Sequence, residues 1–183
     1  MKYGAILADP PWRFETWGSQ KNATTDVERH YSTMPISEIA ALDVARESAA
    51  VDCVLFMWIT WPTMHLALPV IESWGFKYKT CAFCWVKGST LPMFPEDFRP
   101  RMMGGYWTRS NSEICLLATR GKPRRINADV HQVILAPLRQ HSRKPDEIYS
   151  RIERLVSGPY LEMFARKQRP GWDAWGDQVG KFN

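Results

Sequence analysis

The chain lacks any uninterrupted apolar stretch long enough to cross a membrane, and its first residues lack the pattern of a signal peptide. It also lacks internal repeats and low-complexity segments. We therefore expect a cytoplasmic protein with no membrane partner. The length of 183 residues, of which 45% are hydrophobic, predicts a single domain spanning residues 1–183.

Cysteine is scarce, with four residues in the chain, and only Cys81 and Cys84 have the spacing of half a zinc site. Both lie in the segment 79–86, which reads as a β-strand. Side chains three positions apart on a strand point to opposite faces, so these two thiols are not expected to share a metal ion. We predict buried free thiols and no metal site.

Positive charge is concentrated in one part of the chain. Ten Lys and Arg but only two acidic residues fall between Arg99 and Lys144, which gives this stretch a charge of +8 in a chain of net +5. The remainder carries −3. A basic segment interleaved with aromatic residues is typical of a surface that binds nucleic acid. We predict backbone contacts at Arg109, Arg124 and Arg125; a solvated loop is the alternative explanation.

Hydrophobic periodicity predicts alternating strands and helices, and therefore a three-layer α/β domain. The predicted strands cover residues 3–8, 51–59, 78–86, 113–119, 130–135 and 160–164. The predicted helices cover residues 36–45, 63–74 and 145–155. Two long loops, residues 13–30 and 87–112, are candidate substrate-binding elements, because long loops in compact domains often carry function.

The most informative motif follows the first predicted strand: Asp9, Pro10, Pro11 and Trp12. An acid at the carboxyl end of a buried strand lies where ligands bind in open α/β sheets. Two prolines stiffen the turn, and tryptophan offers a flat apolar face. An acceptor, a rigid carbonyl and a stacking surface suit an aromatic amine, whose lone pair would attack an electrophilic methyl group. A strand-to-loop turn with a buried aromatic is the structural alternative.

Together with other segments, this motif resembles the MT-A type adenine N6-methyltransferases, and the resemblance extends over nearly the whole chain. The further landmarks are the segments 30–34, 55–60, 74–76, 85–87, 113–117, 142–149, 152–154, 161–166 and 171–176. The resemblance implies a Rossmann-like fold that uses S-adenosylmethionine. It also implies a permuted order, in which the catalytic motif comes first and the cofactor-binding motif last.

The resemblance further implies roles for individual residues. Catalysis would rest on Asp9, Pro10, Pro11 and Trp12, with Trp12 stacking on the target base. The cofactor would contact Asp9, Lys144, Phe164, Arg166, Gln168, Asp177 and Gln178, with Lys144 pairing with its carboxylate. Tyr31 and Trp85 would join Arg109, Arg124 and Arg125 in contacting the substrate.

Three departures from the family pattern qualify these roles. Only eight residues precede Asp9, whereas longer members have an upstream acidic turn that contacts the cofactor adenine. Asp177 stands where the family often has Asn. Gln168 stands where a histidine contacts the methionine moiety in the mRNA enzyme.

The sequence favours methylation of adenine in DNA, because a small member without added RNA-binding domains resembles the bacterial and phage DNA enzymes. Three alternatives stay open. They are methylation of adenine in RNA, a catalytically silent nucleic-acid-binding subunit, and methylation of the N4 amine of cytosine. A homodimer or a partner subunit is compatible with each of them.

Overall fold

The computed structural model describes residues 1–13, 33–89, 95–105, 107–139 and 143–180, and it contains one seven-stranded sheet. The strands are β1 (Tyr3–Ala8), β2 (Ala49–Ile59), β3 (Lys77–Gly88), β4 (Ser112–Arg120), β5 (Val133–Pro137), β6 (Tyr160–Met163) and β7 (Trp172–Trp175). Their order across the sheet is β5-β3-β4-β2-β1-β6-β7. The predicted α/β class is therefore confirmed. β7 was not predicted as a strand, because two of its four residues, Asp173 and Ala174, are types depleted in strands.

The helices are α1 (Ile36–Ala40), α2 (Asp43–Ser48), α3 (Met64–Ser73) and α4 (Glu147–Leu155). The single helix predicted over residues 36–45 was wrong, because Leu42 adopts extended dihedral angles (φ −69°, ψ 107°) and separates α1 from α2. The second helix begins with Asp43, an acid that favours the positive end of the helix dipole. No helix in the described ranges is both long enough and apolar enough to span a membrane.

Strand direction fixes which residues meet at each edge of the sheet. β1 is parallel to both β2 and β6, β3 is parallel to β5, and β6 is parallel to β7. β4 is antiparallel to both of its neighbours, β2 and β3. The start of β4 therefore lies beside the ends of the other strands, at the edge that Asp9 follows. We call this the active edge.

Side chains of β1 divide the core into two layers. Ile6 and Ala8 pack in the layer under α1, α2 and α3, while Ala5 and Leu7 pack in the layer under α4. The strict alternation is what a strand buried on both faces requires. Helices therefore cover both faces of the sheet, which is the three-layer arrangement that the sequence predicts.

The prediction that Cys81 and Cys84 point to opposite faces was wrong. The register of β3 against β4 shifts between Cys81 and Phe83, and both cysteines pack against the layer under α1–α3. An extra residue in a strand resets the alternation of side chains. All four thiols are free, and burial raises the pKa of Cys81 and of Cys53, the latter to about 12.

Candidate active site

Asp9 and Lys144 form an ion pair at the active edge. The Lys144 ammonium donates to both carboxylate oxygens of Asp9, at 2.8 Å each. Both side chains are largely buried, with 23% of Asp9 and 13% of Lys144 exposed. Asp9 directly follows the carboxyl end of β1, and Lys144 lies in the segment just before α4. The pair therefore joins two parts of the chain that are 135 positions apart.

The ion pair extends to two further residues at the same edge. Lys144 lies 3.5 Å from Glu113, and Lys87 lies 2.5 Å from the other oxygen of Glu113. Burial alone would raise the pKa of Glu113, but the ammonium groups of Lys144 and Lys87 outweigh it and leave the pKa below its usual value. Positive and negative charges thus alternate from Lys87 to Asp9.

Burial also acts on Lys144, where it disfavours the charged form. The carboxylates of Asp9 and Glu113 overcome this effect and raise the pKa of Lys144 above its ordinary value. Its ammonium also lies 5.7 Å from the ring centroid of Trp58, an additional favourable contact for a cation. Lys144 is therefore a fixed positive charge beside Asp9.

The turn after Asp9 is held by local hydrogen bonds. The carbonyl of Pro10 accepts the Trp12 backbone N–H at 2.8 Å, and the carbonyl of Pro11 accepts the Met34 N–H at 2.9 Å. Trp12 is only 6% exposed, and its indole N–H donates to the carbonyl of Trp58 at 3.0 Å. In this arrangement Trp12 packs in the core and anchors the turn.

Two cavities meet at Asp9, Phe164 and Arg166, one on each face of the sheet. The outer cleft, of about 790 Å³, lies on the α1 side and is also bordered by Met34, Glu38, Trp175, Asp177 and Gln178. The inner recess lies on the α4 side, has a volume of about 40 Å³, and is lined by Lys144, Glu162 and Arg169 among others. Of these two cavities, the outer cleft has the size of a small-molecule site.

The loops after β6 and β7 are in close backbone contact beside the outer cleft. Phe164 has a positive φ of 61°, which is rare for a residue with a side chain. Gly176 has a φ of 151°, and a Cβ there would lie 3.0 Å from the Ala165 nitrogen and 3.1 Å from the Phe164 Cα. The Ala165 N–H also donates to the carbonyl of Trp175 at 3.0 Å. This close approach sets the position of Arg166 and Asp177 at the cleft.

Glu162 is a partly buried acid in the inner recess. It accepts a hydrogen bond from the hydroxyl of Tyr149 at 2.9 Å. Burial raises its pKa to about 7, and the hydrogen bond from Tyr149 offsets only part of that effect. Glu162 lies on the α4 face of β6, opposite Met163, as alternation along the strand predicts.

The loop between β3 and β4 lies at the active edge because both of its ends are there. Its described part carries exposed apolar and basic side chains, including Met102 and Trp107, which are 74% and 93% exposed, and Arg109. Trp61, which is 53% exposed, donates its indole N–H to the hydroxyl of Ser112 at 3.0 Å. Exposed aromatic residues near basic ones are typical of surfaces that bind unpaired bases.

Two predicted site residues, Gln168 and Trp85, are not among the residues that line the outer cleft or the inner recess. The side chain of Gln168 is directed to the carbonyl of Trp172, at 2.9 Å. Trp85 is only 2% exposed, and its indole N–H donates to the carbonyl of Ala136. Both residues therefore have structural contacts, and their contacts with ligands stay predictions. Tyr31, together with most of the loop 13–30, lies outside the described residues.

Arg124 and Arg125 follow the end of β4, which points away from the active edge because β4 is antiparallel. The adjoining Lys122 N–H donates to Asp52 near the start of β2, and the Ile126 N–H donates to the carbonyl of Leu155 at the end of α4. The two ends of β4 therefore place basic residues of the stretch 99–144 at opposite edges of the sheet. A contact between these two arginines and nucleic acid stays a prediction.

Sequence reasoning missed Glu113, Lys87 and Glu162 as site residues. Glu113 begins the predicted strand 113–119, and Lys87 directly follows the predicted strand 78–86, so each lay beside a predicted strand end. Their meeting depends on the antiparallel direction of β4, which periodicity does not reveal. Within the described ranges, no three His, Cys, Asp or Glu side chains are grouped as a metal site would require.

The donor set fits a cofactor with hydroxyl groups and a charged amino-acid portion. Arg166, Asp177 and Gln178 border the outer cleft with Asp9, and the approach of Gly176 to Phe164 shapes its wall. Guanidinium, amide and carboxylate groups provide both donors and acceptors for such a molecule. The predicted cofactor residues Asp9, Phe164, Arg166, Asp177 and Gln178 are thus neighbours in the structure.

Comparison with known proteins agrees with this arrangement. The sequence profile of the MT-A70 family matches residues 3–178. The chain is 33% identical to the type II methyltransferase M.MunI of Mycoplasma sp, over 97% of this chain and 78% of that protein.

Two eukaryotic relatives also match over 97% of this chain. They are the N(6)-adenosine-methyltransferase MT-A70-like protein of Arabidopsis thaliana, at 33% identity, and the catalytic subunit METTL3 of Homo sapiens, at 31%. The chain spans 24% and 28% of their lengths, respectively. The resemblance inferred from the motifs is confirmed: the chain belongs to the MT-A70 family of S-adenosylmethionine-dependent methyltransferases.

Proposed function

We propose that this protein transfers a methyl group from S-adenosylmethionine to the exocyclic N6 amine of adenine in DNA. The observation that carries the proposal is the Asp9 carboxylate, held by Lys144 at the active edge and bordering both cavities. A fixed acceptor at this position can orient an amine without help from a metal ion.

The outer cleft is the proposed cofactor site. Arg166, Asp177 and Gln178 would hold the ribose hydroxyls, and Phe164 would form part of the wall. When bound, S-adenosylmethionine supplies a methyl group activated by its attachment to a positively charged sulfur. Lys144 is the proposed partner of the cofactor carboxylate, and in the structure described here its ammonium is bonded to Asp9.

Asp9 and Pro10 are the proposed acceptors for the two hydrogens of the target amine. A carboxylate offers about four lone-pair sites, and Lys144 uses one on each oxygen of Asp9. The Pro10 carbonyl has two lone pairs, of which the Trp12 N–H uses one. Both groups thus keep acceptor capacity for an amine.

The target base must leave a stacked helix, or come from a single strand, to reach Asp9. Trp12 is the residue that the motif assigns to stacking on this base. Because Trp12 is 6% exposed, stacking would require the turn or its surroundings to open. The exposed aromatic side chains of Trp61 and Trp107 at the same edge offer surfaces for neighbouring unpaired bases.

DNA is the favoured substrate because the type II methyltransferase M.MunI matches over 78% of its own length. RNA is the second candidate. It is favoured by the identity of 31–33% to proteins named N(6)-adenosine-methyltransferases, of which the chain spans only about a quarter. The retention of Asp9, Pro10, Pro11 and Trp12 supports an active enzyme over a silent binding subunit.

The test is incubation of the protein with labelled S-adenosylmethionine and matched DNA and RNA oligonucleotides, followed by mass spectrometry of the nucleosides. We expect N6-methyldeoxyadenosine from DNA, formed about two to three orders of magnitude more slowly by a variant in which Asp9 is replaced by Asn. Methylation of RNA alone would show that the substrate is RNA and not DNA. Formation of N4-methylcytosine would show that the target base is cytosine and not adenine. No methylation of either polymer would overturn the proposal.

A further inference from the structure

Three arginines converge on a single carboxylate beside the active site. Arg139 and Arg143 pair with one oxygen of Asp146, the latter at 3.4 Å, and Arg169 pairs with the other oxygen. Their side chains are between 20% and 29% exposed, so the group is accessible from solvent. We call Arg139, Arg143 and Arg169 the arginine cluster.

The arginine cluster carries more positive charge than Asp146 neutralises. Each guanidinium offers five N–H donors, whereas one carboxylate offers about four lone-pair sites. The pKa of Arg169 is lowered, first by burial and then by repulsion from Arg143 and Arg139. Among the described residues, the buried Nε of Arg169 has no hydrogen-bond acceptor. A second anion at this position would reduce the repulsion among the three guanidinium groups and accept hydrogen bonds from some of their N–H donors.

The arginine cluster is adjacent to the reacting end of the site. Arg143 and Arg169 line the inner recess together with Asp9 and Lys144. Arg139 donates to the backbone carbonyl of Lys144 at 2.6 Å, and the ammonium of Lys144 bonds to Asp9. The guanidinium of Arg169 lies 3.9 Å from the ring centroid of Tyr149, which fixes its orientation. An anion bound here would lie next to a substrate whose amine reaches Asp9.

We propose that the arginine cluster binds a phosphate of the nucleic-acid backbone next to the target adenosine. This rests on the proposed nucleic-acid substrate and adds to it the contact that holds the extruded nucleotide. Guanidinium groups match phosphate oxygens in a two-pronged geometry. The three arginines with Asp146 keep an excess charge of about +2, which suits a backbone phosphate and its neighbours.

A phosphate is preferred over the carboxylate of the cofactor because that carboxylate already has a proposed partner in Lys144. The cleft large enough for most of a cofactor lies on the α1 side of the sheet and meets the α4-side recess at Asp9, Phe164 and Arg166, whereas Arg143 and Arg169 of the arginine cluster line that recess and not the cleft. Unlike Arg124 and Arg125, which follow the far end of β4, the arginine cluster lies beside Asp9 and Lys144.

The test compares the wild type with the double variant Arg139→Gln/Arg169→Gln. A second double variant, Arg139→Lys/Arg169→Lys, keeps the charge but not the planar fork. The control is Lys77→Gln/Lys79→Gln, which removes two exposed charges from β3 on the side away from the active edge. Affinity for a short adenine-containing oligonucleotide, as DNA and as RNA, is measured at several salt concentrations. Affinity for S-adenosylhomocysteine is measured by calorimetry.

We expect the Gln variant to bind the oligonucleotide about tenfold or more weakly and to lose about one to two units of salt-dependence slope. The Lys variant should keep the slope and lose part of the affinity, and the control should match the wild type. Affinity for S-adenosylhomocysteine should be unchanged throughout. Thermal unfolding verifies that the variants fold. If the Gln variant does not fold, the proposal is tested by whether the Lys variant loses oligonucleotide affinity.

Other results would overturn the inference in distinguishable ways. The arginine cluster is not a phosphate site if the wild type binds and methylates the oligonucleotide and the Gln and Lys variants have the same oligonucleotide affinity and salt-dependence slope as the wild type. If only S-adenosylhomocysteine affinity falls, the cluster serves the cofactor instead. If the wild type binds neither oligonucleotide, the nucleic-acid substrate itself is wrong, and the inference fails with it.

Discussion

The Lys144 ammonium donates to both carboxylate oxygens of Asp9 at 2.8 Å, and it also lies 3.5 Å from Glu113. One lysine therefore holds the acid of the Asp-Pro-Pro-Trp motif in a single orientation. A carboxylate fixed in this way needs little reorganisation when an amine arrives, which is the condition for effective electrostatic catalysis.

Replacement of Asp9 by Asn or Ala should lower the methylation rate by about two to three orders of magnitude, because one preorganised acceptor is lost. The rate is measured by transfer of labelled methyl to an oligonucleotide. Asp129→Asn is a matched control, since Asp129 is 69% exposed and pairs only with Arg154 among the described residues. A folded Asp9 variant with turnover near that of the wild type would refute the role.

Replacement of Lys144 by Ala should weaken cofactor binding by about 1.5–3 kcal/mol, the range for hydrogen bonds to charged groups. It should also lower the free energy of unfolding, since Asp9 and Glu113 would lose a buried partner. Calorimetry with S-adenosylhomocysteine and thermal unfolding measure the two effects, and Lys77→Ala is the exposed control. If the affinity for S-adenosylhomocysteine is unchanged, Lys144 does not bind the cofactor, and its role is to orient Asp9.

Glu162 should make stability depend on pH between about 4.5 and 7, its usual and its raised pKa. The folded protein holds this proton more tightly than the unfolded chain. The resulting stability is therefore fully present below pH 4.5 and is lost as the pH rises to about 7. Its size should not exceed about 3.5 kcal/mol, the value of a pKa difference of about 2.5.

The measurement compares the free energy of unfolding of the wild type and Glu162→Gln across this pH range. Gln keeps an acceptor for the Tyr149 hydroxyl but has no proton to lose. As the pH rises, the wild type should lose free energy of unfolding relative to Glu162→Gln, and this relative loss should level off above pH 7. A constant difference would mean that the pKa of Glu162 is not raised.

Replacement of Gly176 by Ala should weaken cofactor binding, because the new Cβ would lie 3.0 Å from the Ala165 nitrogen and force the two loops apart. Gly171→Ala is the matched control: it also has a positive φ, of 78°, but its Cβ would meet no atom within 4 Å. Both variants should lose about 1–3 kcal/mol of stability from backbone strain. Only Gly176→Ala should bind S-adenosylhomocysteine more weakly, and equal affinity in both variants would contradict the prediction.

The first strand illustrates how far local sequence determines this fold. The apolar run of Tyr3–Ala8 predicts β1 with the bounds that the structure has. The strands around residues 51–59, 78–86 and 113–119 were also predicted, and the structure extends each by one to two residues at one or both ends. Local patterns failed where one residue breaks the period, as Leu42 does between α1 and α2.

The sequence by itself identified the acid at the end of β1, the proposed cofactor-binding segment around Phe164 and Arg166, and the family. These are local properties, because a motif and its strand are contiguous. Only the tertiary structure decided that β4 runs antiparallel, which brings Glu113 to Lys144 and takes Arg124 and Arg125 away. The same holds for the arginine cluster on Asp146. Strand direction and the meeting of charges 135 positions apart depend on how the whole sheet pairs, and short-range periodicity carries no information about that pairing.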